Sequence, residues 1–195
     1  MKNELLQQAT QSVHWENRES LAFEFILLIK KIIGDLSGKT FLDIGCAKGR
    51  DCEIFQKEGL DPIGIDNNPN LIGDAKTQYP DIEFICGDAA LMPFENERFD
   101  IVYGTNILFY LDLDVVLREA FRVLKNGGYG VFSFDAYIIH LDRGEVFHED
   151  SLDHLELVVR DLDGKVVHVG SQETRLDAVP FKHKHEFYKV IVQKN

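Results

Sequence analysis

Two glycines and an aspartate have the types and spacing expected of a nucleoside-binding site. Gly45 and Gly49 lie in the segment D-I-G-C-A-K-G (residues 43–49), directly after a short apolar run. Glycine permits a tight turn and a close approach of the backbone to a small molecule. Asp66 ends a second apolar run further along the chain. An acidic side chain in that place commonly accepts hydrogen bonds from the hydroxyls of an adenosine ribose.

The glycine loop does not match the two common phosphate-binding patterns. A dinucleotide site requires G-x-G-x-x-G, whereas residues 45–50 read G-C-A-K-G-R. The P-loop pattern G-x-x-x-x-G-K-[ST] does not occur in the chain. Two adjacent parallel strands would position the loop and Asp66, because the carboxyl ends of such strands form the ligand-binding edge of an open α/β sheet.

Four motifs follow one another in the order of a known family. They are residues 43–49, C-G-D-A at 86–89, F-D-I-V-Y at 99–103 and L-K-N-G-G-Y-G-V-F at 124–132. Together they resemble the class I S-adenosylmethionine-dependent methyltransferases, most of all the small-molecule group, from about residue 38 to 193. The fold that this resemblance implies is a Rossmann-like α/β fold with a mixed sheet of about seven strands and helices on both faces.

The same resemblance implies a cofactor, S-adenosylmethionine, and a small-molecule methyl acceptor. The chain departs from the family's commonest pattern at Ala47, usually a glycine, and at Phe109, where many members carry a histidine. The identity of any catalytic base is therefore left open.

The resemblance also assigns residues to the cofactor site. Asp66 would bind the ribose, Asp88 the adenine amino group, and Asp43 would order the loop near the cofactor's amino-acid end. The predicted cofactor-binding residues are Asp43, Gly45, Cys46, Gly49, Asp66, Asn67, Asp88, Ala89 and Thr105. Free cysteines are mostly small buried packing groups, so a nucleophilic Cys46 is not expected.

The acceptor site is predicted from position alone. Residues 135–150 are expected to form a long loop after the fifth strand and, with the region around Trp15, a lid over the acceptor. The candidate acceptor contacts are Asn106, Tyr137, His140 and His148. Nothing in the sequence selects a general base among them.

Composition and charge indicate one globular domain and exclude some functions. The chain has 195 residues, of which 45% are hydrophobic and 28% charged. Its net charge of −12 would repel a phosphate backbone, so nucleic acid is a poor substrate candidate. Cys46, Cys52 and Cys86 form no metal knuckle, and His183 and His185 lack a third ligand, so no metal is expected.

Targeting signals are not recognised in the sequence. The longest apolar run, residues 25–29, is far too short to span a bilayer, and the first residues do not read as a signal peptide. A cytoplasmic location is therefore expected, and the oligomeric state is not indicated.

Hydrophobic periodicity predicts the remaining elements. Helices are expected over residues 5–14, 19–36, 70–77, 113–124 and 151–162, and one between Gly49 and Gly59. Residues 126–128 should stop the helix that begins at 113. Residues 165–169 and 186–192 should form two late antiparallel strands. The chain is expected to be one domain, with an N-terminal helical packing or lid segment (1–37) before the binding domain (38–195).

The function that the sequence predicts is methyl transfer from S-adenosylmethionine to an unidentified small molecule. One alternative is a catalytically silent cofactor-binding or interaction protein with the same fold, because fold does not settle reaction. An aminopropyl transferase that uses decarboxylated cofactor is a weaker alternative, since the chain shows no separate polyamine site.

Overall fold

The computed structural model describes residues 22–105, 112–140, 145–148, 152–177 and 183–195. The helices are α1 (Ala22–Ile33), α2 (Arg50–Lys57), α3 (Pro69–Gln78), α4 (Leu113–Val123) and α5 (Leu152–Asp161). The strands are β1 (Thr40–Ile44), β2 (Asp61–Asp66), β3 (Glu83–Cys86), β4 (Phe99–Gly104), β5 (Leu124–His140), β6 (Glu145–His148), β7 (Gly164–Asp177) and β8 (His183–Lys194). None of these helices is long and apolar enough to cross a membrane.

The strands form one mixed sheet in the order β3-β2-β1-β4-β5-β8-β7, and β6 pairs with β5 off this path. The pairs from β3 to β5 are parallel. β8 is antiparallel to both β5 and β7. The predicted mixed sheet and late antiparallel pair are therefore confirmed. The chain runs outward from β1 to β3 and returns to β4 on the other side of β1, which puts a topological switch point between β1 and β4.

Helices cover both faces of the sheet, as predicted. On one face, Phe25 and Ile29 of α1 and Phe55 of α2 pack with Phe41 and Tyr103 of the central strands. Phe25 and Ile29 are one helical turn apart, so α1 presents a single apolar face to the sheet. The opposite face is covered by α4 and α5 through Val116, Leu117, Ala120, Phe121, Leu155, Val158 and Val159. This double layer fixes the carboxyl ends of β1, β2 and β4 relative to one another.

Helix α3 begins earlier than its predicted start at residue 70. Pro69 occupies the first turn, where its missing N–H costs no helical hydrogen bond. The Asn68 side chain caps the helix, because its Oδ1 accepts from the amides of Asn70 at 3.0 Å and Leu71 at 3.4 Å.

The prediction that residues 126–128 stop the helix before β5 is wrong. Helix α4 ends at Val123, and Leu124 already pairs with Phe99 of β4. The next residue of β5 that pairs with β4 is Tyr129, which lies opposite Ile101, so residues 125–128 form an irregular insertion within β5. Two glycines in this segment supply the turn that the insertion needs.

The predicted long loop over residues 135–150 is also wrong. β5 continues to His140, and β6 pairs with it antiparallel, with Tyr137 opposite His148 and His140 opposite Glu145. The β-branched and aromatic residues of both segments favour strands. Residues 151–162 contain α5, as predicted. The predicted helix over residues 5–14, and Trp15, lie outside the described residues.

Candidate cofactor site

The glycine loop joins β1 to α2 and is tied to the neighbouring strand. The amides of Gly45 and Cys46 both donate to the carbonyl of Ile65 in β2, at 2.8 and 3.1 Å. Gly45 and Gly49 have φ angles of 74° and 79°, in the left-handed region that favours glycine. The tight turn predicted from the two glycines is therefore present.

Asp66 is the last residue of β2 and lies beside the loop. Its Oδ2 accepts a hydrogen bond from the amide of Ala47 at 3.0 Å, and its Oδ1 accepts from the amide of Asn68 at 2.8 Å. A carboxylate has about four lone-pair sites, so both oxygens can accept a further hydrogen bond. The carboxylate and the loop thus form one unit at the edge of the sheet, which fits two ribose hydroxyls.

Asp43 lies beneath the loop and is almost completely buried. It is 2% exposed, and its Oδ2 accepts from the Cys52 thiol at 3.4 Å. Within the described part of the chain, no donor reaches its Oδ1. Burial, and then the negative charges of Asp51 and Asp66, raise the pKa of this carboxyl well above its ordinary value. A cationic ligand beside Asp43 would supply the positive charge that stabilises its ionised form.

We expect Asp43→Asn to stabilise the free protein increasingly as the pH rises. The folded parent holds a proton on Asp43 at pH values where the unfolded chain has released it, so its free energy of unfolding falls as the pH rises above about 4. The variant lacks this titration and should gain about 1–3 kcal/mol relative to the parent by pH 8. Thermal unfolding from pH 4 to pH 8 measures the difference; a difference that does not change with pH would contradict the account.

Ala47 has a positive φ of 48° although it is not glycine. An L-residue in this region costs about 1–2 kcal/mol. Ala47→Gly should therefore raise the melting temperature, while its amide can still donate to Asp66 and keep the affinity for S-adenosylhomocysteine within a few-fold of the parent. Calorimetric unfolding and titration measure both quantities. A lower melting temperature would show that the alanine methyl group contributes more than the backbone strain costs.

The structure gives Gly49 a packing role, and its predicted contact with the cofactor stays a prediction. A Cβ at Gly49 would lie 2.4 Å from the Phe84 ring and 3.3 Å from Tyr79, both inside the protein. The space that a side chain would take at Gly49 is therefore filled by the protein's own side chains. Gly49 is needed for packing and for the backbone turn.

The turn after β3 adjoins Asp66, as the family resemblance implies. Cys86 pairs in register with Asp66, and the amide of Gly87 donates to the Asp66 carbonyl at 3.0 Å. Asp88 is exposed, and its Oδ1 accepts from the amide of Ala90 at 2.8 Å. Asn67 and Ala89 lie in the same two turns. The predicted ribose and adenine contacts are thus brought to one edge of the sheet.

The thiol of Cys46 is buried among the side chains of Cys52, Ile72 and Phe84. Burial, and then the charges of Asp43 and Asp66, raise the pKa of this thiol. Because a thiolate is the reactive form, Cys46 is a packing residue whose backbone belongs to the loop. Among the side chains that the structure describes, no group of three or more from His, Cys, Asp or Glu could hold a metal ion.

Sequence reasoning missed a link between α2 and β4. The Tyr103 hydroxyl donates to Asp51 Oδ2 at 2.9 Å and accepts from Thr105 Oγ1 at 3.2 Å. Asp51 and Tyr103 are 52 positions apart in sequence, so no local spacing could reveal the contact. The predicted cofactor residue Thr105 is therefore joined to the residue that follows the glycine loop.

The predicted acceptor residues are not gathered at this edge by any described contact. Asn106 lies outside the described residues. Tyr137 and His140 are in the extension of β5, and His148 is in β6. Their role in acceptor binding remains a prediction.

Comparison with known proteins assigns the chain to a family. Residues 42–132, which contain the glycine loop, Asp66 and Asp88, match the family model described as a methyltransferase domain. The chain belongs to the class I S-adenosylmethionine-dependent methyltransferases. The family, fold and cofactor class predicted from the sequence are thereby confirmed.

Two named relatives show the extent of the similarity. Demethylmenaquinone methyltransferase of Lactococcus lactis is 38% identical over 108 residues, which cover 50% of this chain and 42% of the relative. Sterol 24-C-methyltransferase of Pneumocystis carinii is 30% identical over 162 residues, which cover 78% of this chain and 42% of the relative. The chain therefore spans less than half the length of these relatives.

Solved structures share the fold of this chain. A SAM-dependent methyltransferase of Methanosarcina mazei has a TM-score of 0.64 at 21% identity, covering 84% of this chain and 96% of that chain. The [4+2]-cyclase SpnF has a TM-score of 0.70 at 15% identity, and the match covers 89% of this chain and 81% of the cyclase chain. At these identities the likeness concerns the fold alone, and the second structure carries the name of a different reaction.

Proposed function

We propose that this methyltransferase transfers the methyl group of S-adenosylmethionine to a small-molecule acceptor. The observation that carries the proposal is Asp66 at the end of β2, whose two oxygens are held by loop amides and keep lone pairs for ribose hydroxyls. The methyltransferase-domain match over residues 42–132 supports it.

The charge of the site favours this cofactor over a dinucleotide. Asp51 and Asp66 flank the glycine loop, and their negative charges both act on the buried Asp43 and help to raise its pKa. Their negative charge would repel a pyrophosphate and attract a sulfonium or ammonium group. When bound, S-adenosylmethionine supplies a methyl group that its positive sulfur activates.

The chain's own contribution is to bind and orient the reactants. Asp66 would hold the ribose, Asp88 the adenine amino group, and Asp43 would lie by the positive end of the cofactor. Correct positioning of two reactants can contribute roughly 7–11 kcal/mol to lowering a barrier. A dedicated catalytic triad is therefore not required for this transfer.

The acceptor is proposed only as a class. Relatives named for demethylmenaquinone and sterol methylation support a small organic molecule. The net charge of −12 disfavours nucleic acid. Asn106, Tyr137, His140 and His148 stay the candidate acceptor contacts. A cytoplasmic location is proposed from the free thiols of Cys46, Cys52 and Cys86, which fit a reducing compartment.

A radiolabel screen tests the proposed reaction. The protein is incubated with methyl-labelled S-adenosylmethionine and fractions of a small-metabolite extract, beside the Asp66→Ala variant as the matched control. Label should enter an organic product with the parent and not with the variant. Cofactor binding without transfer to any fraction would favour a catalytically silent protein, and product formation without methyl transfer would favour another reaction on this fold.

A further inference from the structure

Strands β5, β7 and β8 continue beyond the end of β4 as an antiparallel sheet. β4 ends at Gly104, which lies opposite Phe132, whereas β5 continues to His140. Residues that lie directly opposite each other in an antiparallel pair share one face of the sheet. The register therefore shows which residues are neighbours here. We call this part the sheet extension, and it comprises residues 134–140, 145–148, 172–177 and 183–188.

One row across the sheet extension consists of four residues whose types can bind a metal ion. His183 of β8 lies opposite His140 of β5 on one side and opposite Asp177 of β7 on the other. Beyond His140, the edge strand β6 contributes Glu145. Neighbouring strands are about 4.8 Å apart, so a histidine and an aspartate are the two lateral neighbours of His183.

A third histidine lies on the same face of the sheet extension. His185 is two positions after His183 in β8, and residues at that spacing line one face of a strand. Its backbone is about 7 Å from that of His183 and about 8 Å from that of His140. The sequence alone offers His183 and His185 without a third ligand, and the register adds His140. Three imidazoles are the protein ligands of one class of zinc site.

The charges around the three histidines favour a cation. Arg175 of β7 lies opposite His185 and brings one positive charge to this face. Asp177, two positions later on the same strand, and Glu145 of β6 bring two negative charges. The net charge of the whole chain is −12, which also attracts cations. Imidazole suits Zn²⁺ and its transition-metal neighbours, whereas Ca²⁺ and Mg²⁺ require mainly oxygen ligands.

The register also separates the candidate acceptor residues. Tyr137 is three positions before His140 in β5, so the two residues are on opposite faces of the sheet. His148 of β6 lies opposite Tyr137 and shares its face. His140 is therefore grouped with the other two histidines, and Tyr137 and His148 form a separate pair.

We propose that His140, His183, His185 and Asp177 form a binding site for a divalent transition-metal ion such as Zn²⁺. The ion would join β5, β8 and β7 and stabilise the sheet extension, because the free energy of metal binding adds to that of folding. Among the side chains that the structure describes there is no other group of this kind, so one ion per chain is expected. The inference does not depend on methyl transfer, since the site is separate from the glycine loop.

Titration with Zn²⁺ tests the site. The full chain without an affinity tag is freed of metal with a chelator and then titrated in competition with a chromophoric chelator. The parent should bind one Zn²⁺ per chain with a dissociation constant below about 1 μM. Its melting temperature should rise with the Zn²⁺ concentration, because the ion binds the folded state. Mg²⁺ should have neither effect.

Three variants and a matched control test the register. His183→Ala and His140→Ala should each weaken Zn²⁺ binding by about 100-fold or more, because losing even an outer partner of a ligand costs about 10–100-fold. Asp177→Asn should weaken it by about tenfold, and it decides the matter if the histidine variants do not fold. His168→Ala makes the same change in β7 at a residue opposite Ile191, and it should keep the parent's affinity. Circular dichroism establishes folding.

Several results would overturn the inference. They are a folded parent that does not bind Zn²⁺ saturably, a folded His140→Ala protein with the parent's affinity, and an equal loss in His168→Ala, which would indicate unspecific binding. If Arg175 neutralises Asp177 instead, Asp177→Asn will keep the parent's affinity and the proposed four-residue site is wrong. None of these results bears on methyl transfer, which the radiolabel screen tests separately.

Discussion

Asp66→Ala should weaken the affinity for S-adenosylhomocysteine by about a hundredfold or more. The substitution removes two charge-assisted hydrogen bonds to the ribose, each of about 1.5–3 kcal/mol, and every 1.4 kcal/mol is about tenfold in affinity. It also removes the acceptor of the Ala47 and Asn68 amides, so the loop loses the group that holds it. Isothermal titration calorimetry measures the change.

A second variant separates two causes of lost affinity in Asp66→Ala, which are a disordered loop and missing hydrogen bonds to the ribose. Asp66→Asn keeps an oxygen that can accept from one of the two loop amides but removes the charge, so it should lower the melting temperature less than Asp66→Ala does and still lose most of the affinity. Circular dichroism establishes that each variant is folded. Parent-like affinity in a folded Asp66→Ala protein would remove the ribose-binding role from this residue.

Gly49→Ala should lower the stability by about 2–5 kcal/mol. A left-handed backbone costs an L-residue about 1–2 kcal/mol, and an added methyl group in a packed core costs about 1–3 kcal/mol. At Gly49 both apply, because its φ is 79° and its Cβ would lie 2.4 Å from Phe84. For a chain of this length each 1 kcal/mol lowers the melting temperature by about 2–4 °C. Thermal unfolding measures this loss.

Gly127→Ala is the matched control for the packing contribution. Gly127 has a φ of 78°, and nothing lies within 4 Å of the position that its Cβ would take. This variant should show the backbone cost alone, about 1–2 kcal/mol. Equal losses at the two glycines would mean that the Phe84 ring moves aside without cost and that packing does not explain Gly49.

The sequence predicts the cofactor end of the site because its signals are local. Gly45, Gly49 and Asp66 lie at the ends of two short apolar strands, and adjacent parallel strands bring their carboxyl ends together. The same rule places Asp88 near Asp66, because Asp88 follows β3 and β3 is the parallel neighbour of β2. Once the parallel strands are recognised, few other placements of these residues are possible, so their position at the edge of the sheet can be predicted without coordinates.

Other features depend on contacts between distant segments. The bond between Tyr103 and Asp51 joins a strand to a helix, and the clash at Gly49 arises from Phe84 in a third element. Neither leaves a spacing in the sequence. The predicted loop after β5 was wrong because residues 137–140 gain partners in β6 and β8, and strand pairing of this kind outweighs local turn signals.

Titration of the parent protein with S-adenosylhomocysteine and with NAD tests the central claim most directly. Both ligands carry an adenosine ribose that Asp66 could hold, but only the dinucleotide brings a pyrophosphate to the glycine loop. The account predicts binding of S-adenosylhomocysteine and none of NAD, because the loop lacks the middle glycine of G-x-G-x-x-G and adjoins the Asp66 carboxylate. Tighter binding of NAD, or no binding of S-adenosylhomocysteine by the folded protein, would contradict it.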